Sequence, residues 1–267
     1  MNRSGLIITI IMGCLAVLLW KIVNAPNMEP PWPSKIQGFS FSPFREGQSP
    51  SKHIYPTVEQ IDRDLATLAG DVHAVRSYTV EDTLAEIPRL AAARGLNVVL
   101  GAWLTRDEKK NEEEVAKLIK VYRENHRNII RVLVGNEVLL RTDQTVEQMI
   151  KYIEIAKKSI WAPVSIAEPW HIWLAHPELV EKVDFIAVHL LPYWEGIPID
   201  EAVDYCVMRY KELQQAYPGK EIVISEIGWP SGGRIRQGAV ASPTNQAKFL
   251  RRFLDVAEKN HYTYYIM

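Results

Sequence analysis

The sequence predicts an α/β fold, a (β/α)8 TIM barrel, preceded by an N-terminal hydrophobic membrane segment. Three observations carry this. Strand-like and helix-like patterns alternate from Ile36 to the end of the chain, the arrangement of a parallel sheet with helices packed on it. Eight strand candidates fall in that stretch, at 36–42, 72–77, 97–103, 129–135, 163–167, 183–189, 221–226 and 262–267. No glycine-rich nucleotide fingerprint follows the first of them, which argues against an open doubly wound sheet. The length of 267 residues suits one barrel of roughly 250.

The N-terminal run Gly5 to Trp20 carries no charge, and Lys21 interrupts before Ile22 and Val23. Residues 1–23 therefore form a membrane anchor or a signal segment. Val23-Asn24-Ala25 loosely fits a signal cleavage site, but Pro26 directly after it would hinder processing, which favours the uncleaved anchor. A run apolar on every face does not suit a soluble helix. Either export reading places the rest of the chain outside the cytoplasmic membrane: single-pass and periplasmic or extracellular if anchored, secreted if cleaved. Residues 24–35, rich in Pro and polar side chains, read as a linker to the domain at 36–267.

Within that domain the buried runs, such as Asn97-Val98-Val99-Leu100, are continuous rather than alternating, as strands covered on both faces require. Thr57 with Gln60 forms a capping box ahead of Ile61, Leu65 and Leu68, and Gly70 supplies the stop. Pro88 marks a helix start within 80–94. Thr145 with Gln148 repeats the start signal before Met149, Ile150, Ile153 and Ala156, and Ser242-Pro243 opens a helix burying Phe249, Leu250, Phe253 and Leu254. The chain stops at Met267, inside the eighth strand candidate. A barrel without its last helix would expose an apolar groove, so a piece of a longer product, truncated in strand eight, is expected.

Lys+Arg at 31 against Asp+Glu at 32 leaves no basic excess for nucleic acid. Cys14 lies in the apolar run and Cys206 in an amphipathic stretch, so a disulfide between them is not expected. Glu168 and His171 on one loop, with His189 on the next strand, lack the spacing of a zinc site, and no metal or other cofactor is expected. Ser225 and Ser231 have no convincing His/Asp partners for a serine hydrolase.

A barrel assembles its active site at the C-terminal strand ends. Strand four ends in VGNEV (134–138) with Glu137, and strand seven in ISEIGWPSGG (224–233) with Glu226. Two carboxylates at the mouth suit glycoside chemistry, in which one stays protonated for the leaving oxygen while the other attacks carbon or activates water. Arg76, ending strand two, is a cation of the kind that keeps a neighbouring carboxylate ionised. Tyr193, after strand six, could hydrogen-bond Glu226. Tyr78, Trp103, Trp170, Trp173, Tyr193, Trp194 and Trp229 line the same rim, where sugars stack on aromatic faces; Trp103 and Trp229 are the strongest stacking candidates and Trp173 reads as core. His189 at the mouth reads as a structural or substrate-contacting residue.

KEIVISEIGWPSGG (220–233) resembles the signature of glycoside hydrolase family 17, the β-1,3-glucanase family, around its nucleophile. VGNEV resembles the Asn-Glu pair that this family's wider clan carries after strand four. GFSFSPFR (38–45), VRSY (75–78) and VHLLPYWEG (188–196) are most similar to its bacterial, membrane-anchored branch. The resemblance implies a retaining double displacement on β-1,3-linked glucan, with Glu226 as nucleophile, Glu137 as acid/base and Asn136 bonding the sugar 2-hydroxyl. It also implies β-glucan as the partner, and a fused or partner glucan synthase. The alternatives are a non-catalytic membrane-tethered glycan-binding barrel and a tether for a fused partner.

Overall fold

The computed structural model describes residues 3–24 and 28–267, which form two compact units, Met1–Pro31 and Trp32–Met267. Ala25, Pro26 and Asn27, on which the cleavage-site reading partly rests, lie outside the described residues. In the first unit α1 runs from Arg3 to Val23. At about 1.5 Å per residue its 21 residues reach roughly the thickness of a bilayer's hydrocarbon core. Ser4–Val23 is long and apolar enough to cross a membrane, with a mean hydropathy of 2.6. Cys14 and Cys206 are both free thiols.

The second unit is a closed parallel barrel in sequential order: β1 (Ile36–Ser40), β2 (Val72–Arg76), β3 (Asn97–Ala102), β4 (Ile129–Asn136), β5 (Val164–Pro169), β6 (Ile186–Leu190), β7 (Ile222–Ile227) and β8 (Thr263–Ile266). Closure is made where Phe39 of β1 pairs with Ile266 of β8. Ala74, Val99, Leu133, Ala167, Ala187, Val223 and Tyr265 fill the inside. Alternate residues such as Val75, Val98, Val132, Ile166, Val188 and Ile224 face the helices. That two-sided burial is why the strands read as unbroken apolar runs.

The helices are α2 (Val58–Leu68), α3 (Ile87–Ala93), α4 (Glu108–Asn125), α5 (Val146–Lys157), the short α6 (Trp170–Ala175) and α7 (Pro177–Val180), α8 (Ala202–Ala216) and α9 (Pro243–Asn260). Both capping boxes form as the sequence predicts, at Thr57/Gln60 and Thr145/Gln148. Ile61 and Leu65 of α2, Ile153 of α5 and Phe249 of α9 are fully buried, each burial contributing roughly 1.5–3 kcal/mol. Pro88 lies in the first turn of α3, where its missing N–H is harmless.

Two irregularities of the wall position the site. In β4 the register against β5 shifts between Leu133 and Asn136, and Gly135 within the shift has φ +114°. The extra residue turns Asn136 inward, where strict alternation would put Gly135. In β7 the register shifts so that His189 of β6 faces Glu226, and β7 shifts against β8 between Ile224 and Ile227. The strand ends also differ from the sequence-based expectation where it matters. β5 continues to Pro169, so Glu168 is a strand residue with no exposed surface and not part of a loop.

A β-carbon on Gly135 would face both an unfavourable φ and contacts of 2.8 Å to Val138 and 3.1 Å to Met149. Gly135→Ala is expected to cost about 1–3 kcal/mol, read as a lower denaturant midpoint in urea. An unchanged midpoint would show that the shift in β4 does not depend on this glycine.

Candidate active site

The C-terminal ends of the strands bring Arg76 (β2), Asn136 (β4), Glu137 just after β4, His189 (β6) and Glu226 (β7) together. Arg76 is 1% exposed and sits at the centre. Its Nη1 donates to Glu226 Oε1 at 2.6 Å and to the Ser225 carbonyl at 3.1 Å, and its Nη2 donates to Asn136 Oδ1 at 2.5 Å. Tyr78 places its ring 4.5 Å from the guanidinium carbon and donates its hydroxyl to Glu226 Oε1 at 2.8 Å. His189 spans the two carboxylates, with Nδ1 2.9 Å from Glu137 Oε1 and Nε2 3.6 Å from Glu226 Oε1. One ligand atom from each of Glu137, His189 and Glu226 lies within 4.8 Å of the others. The same spacing could hold a cation, but the Arg76 charge on Glu226 opposes it electrostatically.

These contacts set the charge of Glu226. Burial alone would push its carboxyl up. Attraction to His189 and Arg76, with hydrogen bonds from Arg76 and Tyr78, outweighs burial and holds it below the usual carboxylate range. Glu137 differs in setting: its side chain keeps 26% exposure at the edge of the cleft and its backbone adopts φ +51°. A cleft of about 440 Å³ opens over both carboxylates, bordered by His171, His189, Trp194 and Glu195.

Two sequence-based assignments need correction. The phenol that bonds Glu226 is Tyr78. The Tyr193 hydroxyl donates instead to the Arg234 carbonyl, and its ring is buried edge-on against Trp194 and Trp229. Trp229 is 2% exposed, donates Nε1 to the Val240 carbonyl and packs on Phe249, so it braces the loop after β7 and offers almost no face for stacking. Trp194, 56% exposed, is the aromatic that borders the cleft. Trp103 is 41% exposed, with the Arg141 guanidinium 4.6 Å from its ring centre. Trp170 has Arg209 against its ring and donates to Glu195, and Trp173 is buried with its N–H on the Ala187 carbonyl.

Sequence reasoning missed the supports behind the rim. Glu114 of α4 accepts from the Thr79 hydroxyl and from the amides of Val80 and Trp103, tying the loops after β2 and β3. Glu168 accepts from the amides of Leu139 and Leu140 behind Glu137. Burial, opposed by those two N–H groups and reinforced by the nearby Glu137, pushes the Glu168 carboxyl up to about 7. A charged residue inside an apolar strand run was the available signal for Glu168.

Residues 38–267 match the BtgE/BtgC glycoside hydrolase domain. The btgC protein of Aspergillus niger, named as a glucan endo-1,3-beta-glucosidase, is 26% identical over 91% of this chain, and the chain spans 39% of that relative's length. The crystal structure of a glycoside hydrolase family 17 β-1,3-glucanosyltransferase from Rhizomucor miehei superposes with a TM-score of 0.78, at 27% identity over 87% of this chain and 86% of the other. An active-site mutant of the Rhizomucor miehei β-1,3-glucanosyltransferase, in complex with laminaritriose, gives the same TM-score at 27% identity over 86% and 85%. The resemblance to family 17 found around Glu226 is thereby borne out, through fungal relatives. With 230 consecutive residues matched, the chain belongs to the BtgE/BtgC glycoside hydrolase domain family.

Proposed function

We propose that the barrel is a retaining glycosidase or glucanosyltransferase acting on β-1,3-linked glucan, with Glu226 as nucleophile and Glu137 as acid/base. The observation that carries this reading is the approach of the two carboxylates, whose facing oxygens lie within 4.8 Å. That suits the roughly 5–5.5 Å of a retaining pair and falls short of the roughly 6.5–9.5 Å that leaves room for an attacking water. The names of the Aspergillus relative and the Rhizomucor structures support the substrate class.

The contacts divide the work by atom. Arg76 and Tyr78 both occupy Glu226 Oε1, and among the described residues no donor reaches Oε2, so Oε2 is the attacking oxygen. It bonds to the anomeric carbon as the glycosidic bond breaks, while Glu137 gives its proton to the leaving oxygen. Glu137 then takes a proton from water or from a sugar hydroxyl, which attacks the same carbon and frees Glu226. Because Arg76 holds Asn136 Oδ1, the amide nitrogen of Asn136 is left to donate to the sugar 2-hydroxyl. Trp194 and the open face of Trp103 offer surface for neighbouring sugar units. The Rhizomucor enzyme's name favours transfer over hydrolysis. In this reading α1 anchors the barrel on the outer side of a membrane, and removal of α1 as a signal segment would give a secreted enzyme instead.

Purified protein given one defined β-1,3-gluco-oligosaccharide is expected to make products both shorter and longer than the substrate; shorter products alone would make it a hydrolase. Glu226→Gln should lower kcat about 10³-fold or more while leaving oligosaccharide binding intact, and a wild-type rate would remove Glu226 from the nucleophile role. Glu137→Ala with azide should give a glycosyl azide of retained configuration, whereas an inverted product contradicts double displacement. Arg76→Met removes a charge and a hydrogen bond that lower the Glu226 carboxyl, so the acid limb of the kcat/KM profile should move to higher pH. An unmoved limb would mean that Arg76 does not tune Glu226.

A further inference from the structure

Glu137 reaches the cleft from a backbone conformation that costs a residue with a β-carbon about 1 kcal/mol or more. The turn that follows it must therefore be held. Its own hydrogen bonds do part of this: the Glu137 amide donates to the Ala167 carbonyl at 2.8 Å, and the Arg141 amide to the Glu137 carbonyl at 2.9 Å. Arg141 also donates from its guanidinium to the carbonyls of Asn136 and Leu104.

From the other side comes Glu168. It pairs in register with Val188, a residue of the outer core, so its carboxylate lies behind the barrel wall and not in the cleft. Its Oε1 accepts from the Leu139 amide at 2.8 Å and its Oε2 from the Leu140 amide at 3.3 Å. The residue has no exposed surface and, among the described residues, makes no direct ion pair, although the Arg141 charge acts on it from a distance. A buried carboxyl without a direct ion pair is expensive whether it is charged or has taken up a proton, and an apolar side chain would pack there at lower cost. What the carboxylate supplies and an apolar group could not is a grip on two consecutive backbone N–H groups, two and three residues beyond Glu137.

We propose that Glu168 is a positioning residue for the acid/base: its carboxylate clamps the amides of Leu139 and Leu140 and so fixes the turn that aims Glu137 at the leaving oxygen. This rests on the reading of Glu137 as acid/base. Glu168 touches no substrate, and its effect reaches the reaction through Glu137 alone. Loss of the clamp therefore weakens protonation of the leaving group more than it weakens attack by Glu226.

The test uses two donors for the same first step. A β-1,3-gluco-oligosaccharide leaves as an alcohol and needs a proton; a 2,4-dinitrophenyl β-glycoside of β-1,3-linked glucobiose leaves without one. In the full chain, Glu168→Leu should lower kcat/KM on the oligosaccharide by about 10²-fold, within the range of general acid catalysis. Release of dinitrophenol in the first turnover should stay within a few-fold of wild type. Glu168→Gln keeps one acceptor oxygen and should fall between; it decides the matter if Glu168→Leu does not fold. An equal loss on both donors in a folded variant would overturn the proposal, since the residue would then serve the fold as a whole. So would no loss on either. Glu137→Ala is the reference: it must show the same dependence on leaving group, more strongly. If it does not, the acid/base reading itself falls; if it does and Glu168→Gln matches wild type on both donors, only the clamp falls.

Discussion

The site depends on one buried guanidinium. Arg76 comes from β2, yet its hydrogen bonds end on β4, on β7 and, at 3.5 Å, on the Ser40 hydroxyl of β1, so one side chain ties four strands across the mouth of the barrel. A buried ion pair of this kind adds little net stability, because desolvating both charges offsets most of their attraction. Its consequence is geometric. Neither partner can leave without stranding the other charge, so the Glu226 carboxylate is confined to the orientation that presents Oε2. The same guanidinium orients the Asn136 amide, which links the two strand ends that carry the paired carboxylates.

The aromatic residues divide along similar lines. Trp229, one of the two strongest stacking candidates in the sequence, and Tyr193, expected to bond Glu226, form a buried cluster with Phe249 that braces the loop after β7. Trp194 and Trp103 carry the open surface, and in Trp103 one side is already taken by Arg141. The sequence around Glu226 thus records what supports the end of β7 as much as what faces the cleft.

The barrel was legible because its strands are buried on both faces and its helices begin with side-chain caps, both of which are local patterns. Glu137, Glu226 and Arg76 were legible because a polar residue at the end of an apolar strand run is conspicuous, Asn136 through the resemblance of VGNEV, and the structure brings all four together. What could not be read was direction. Whether a strand residue faces the inside or the helices follows from register, and the register slips in β4 and β7 where the chemistry sits. Choosing Tyr78 over Tyr193 as partner of Glu226 likewise required knowing which strand ends converge, which no spacing along the chain encodes. Glu168 reads as a loop residue because the sequence ends its strand at residue 167, two residues short of Pro169.

Those slips of register have a further meaning for how such a barrel can change. The distance between the two carboxylates is set by the hydrogen-bonded wall, the local shifts in it and the held turn just after β4 that carries Glu137, whereas Trp103 and Trp194 stand on loops beyond it. Lengthening or exchanging those outer loops would leave the separation in place; deleting a wall residue, or loosening the turn after β4, would reset it. On the proposed reading, reaction stereochemistry and acceptor choice are thereby stored in separate parts of the chain. The first is protected by backbone pairing, and the second is free to drift.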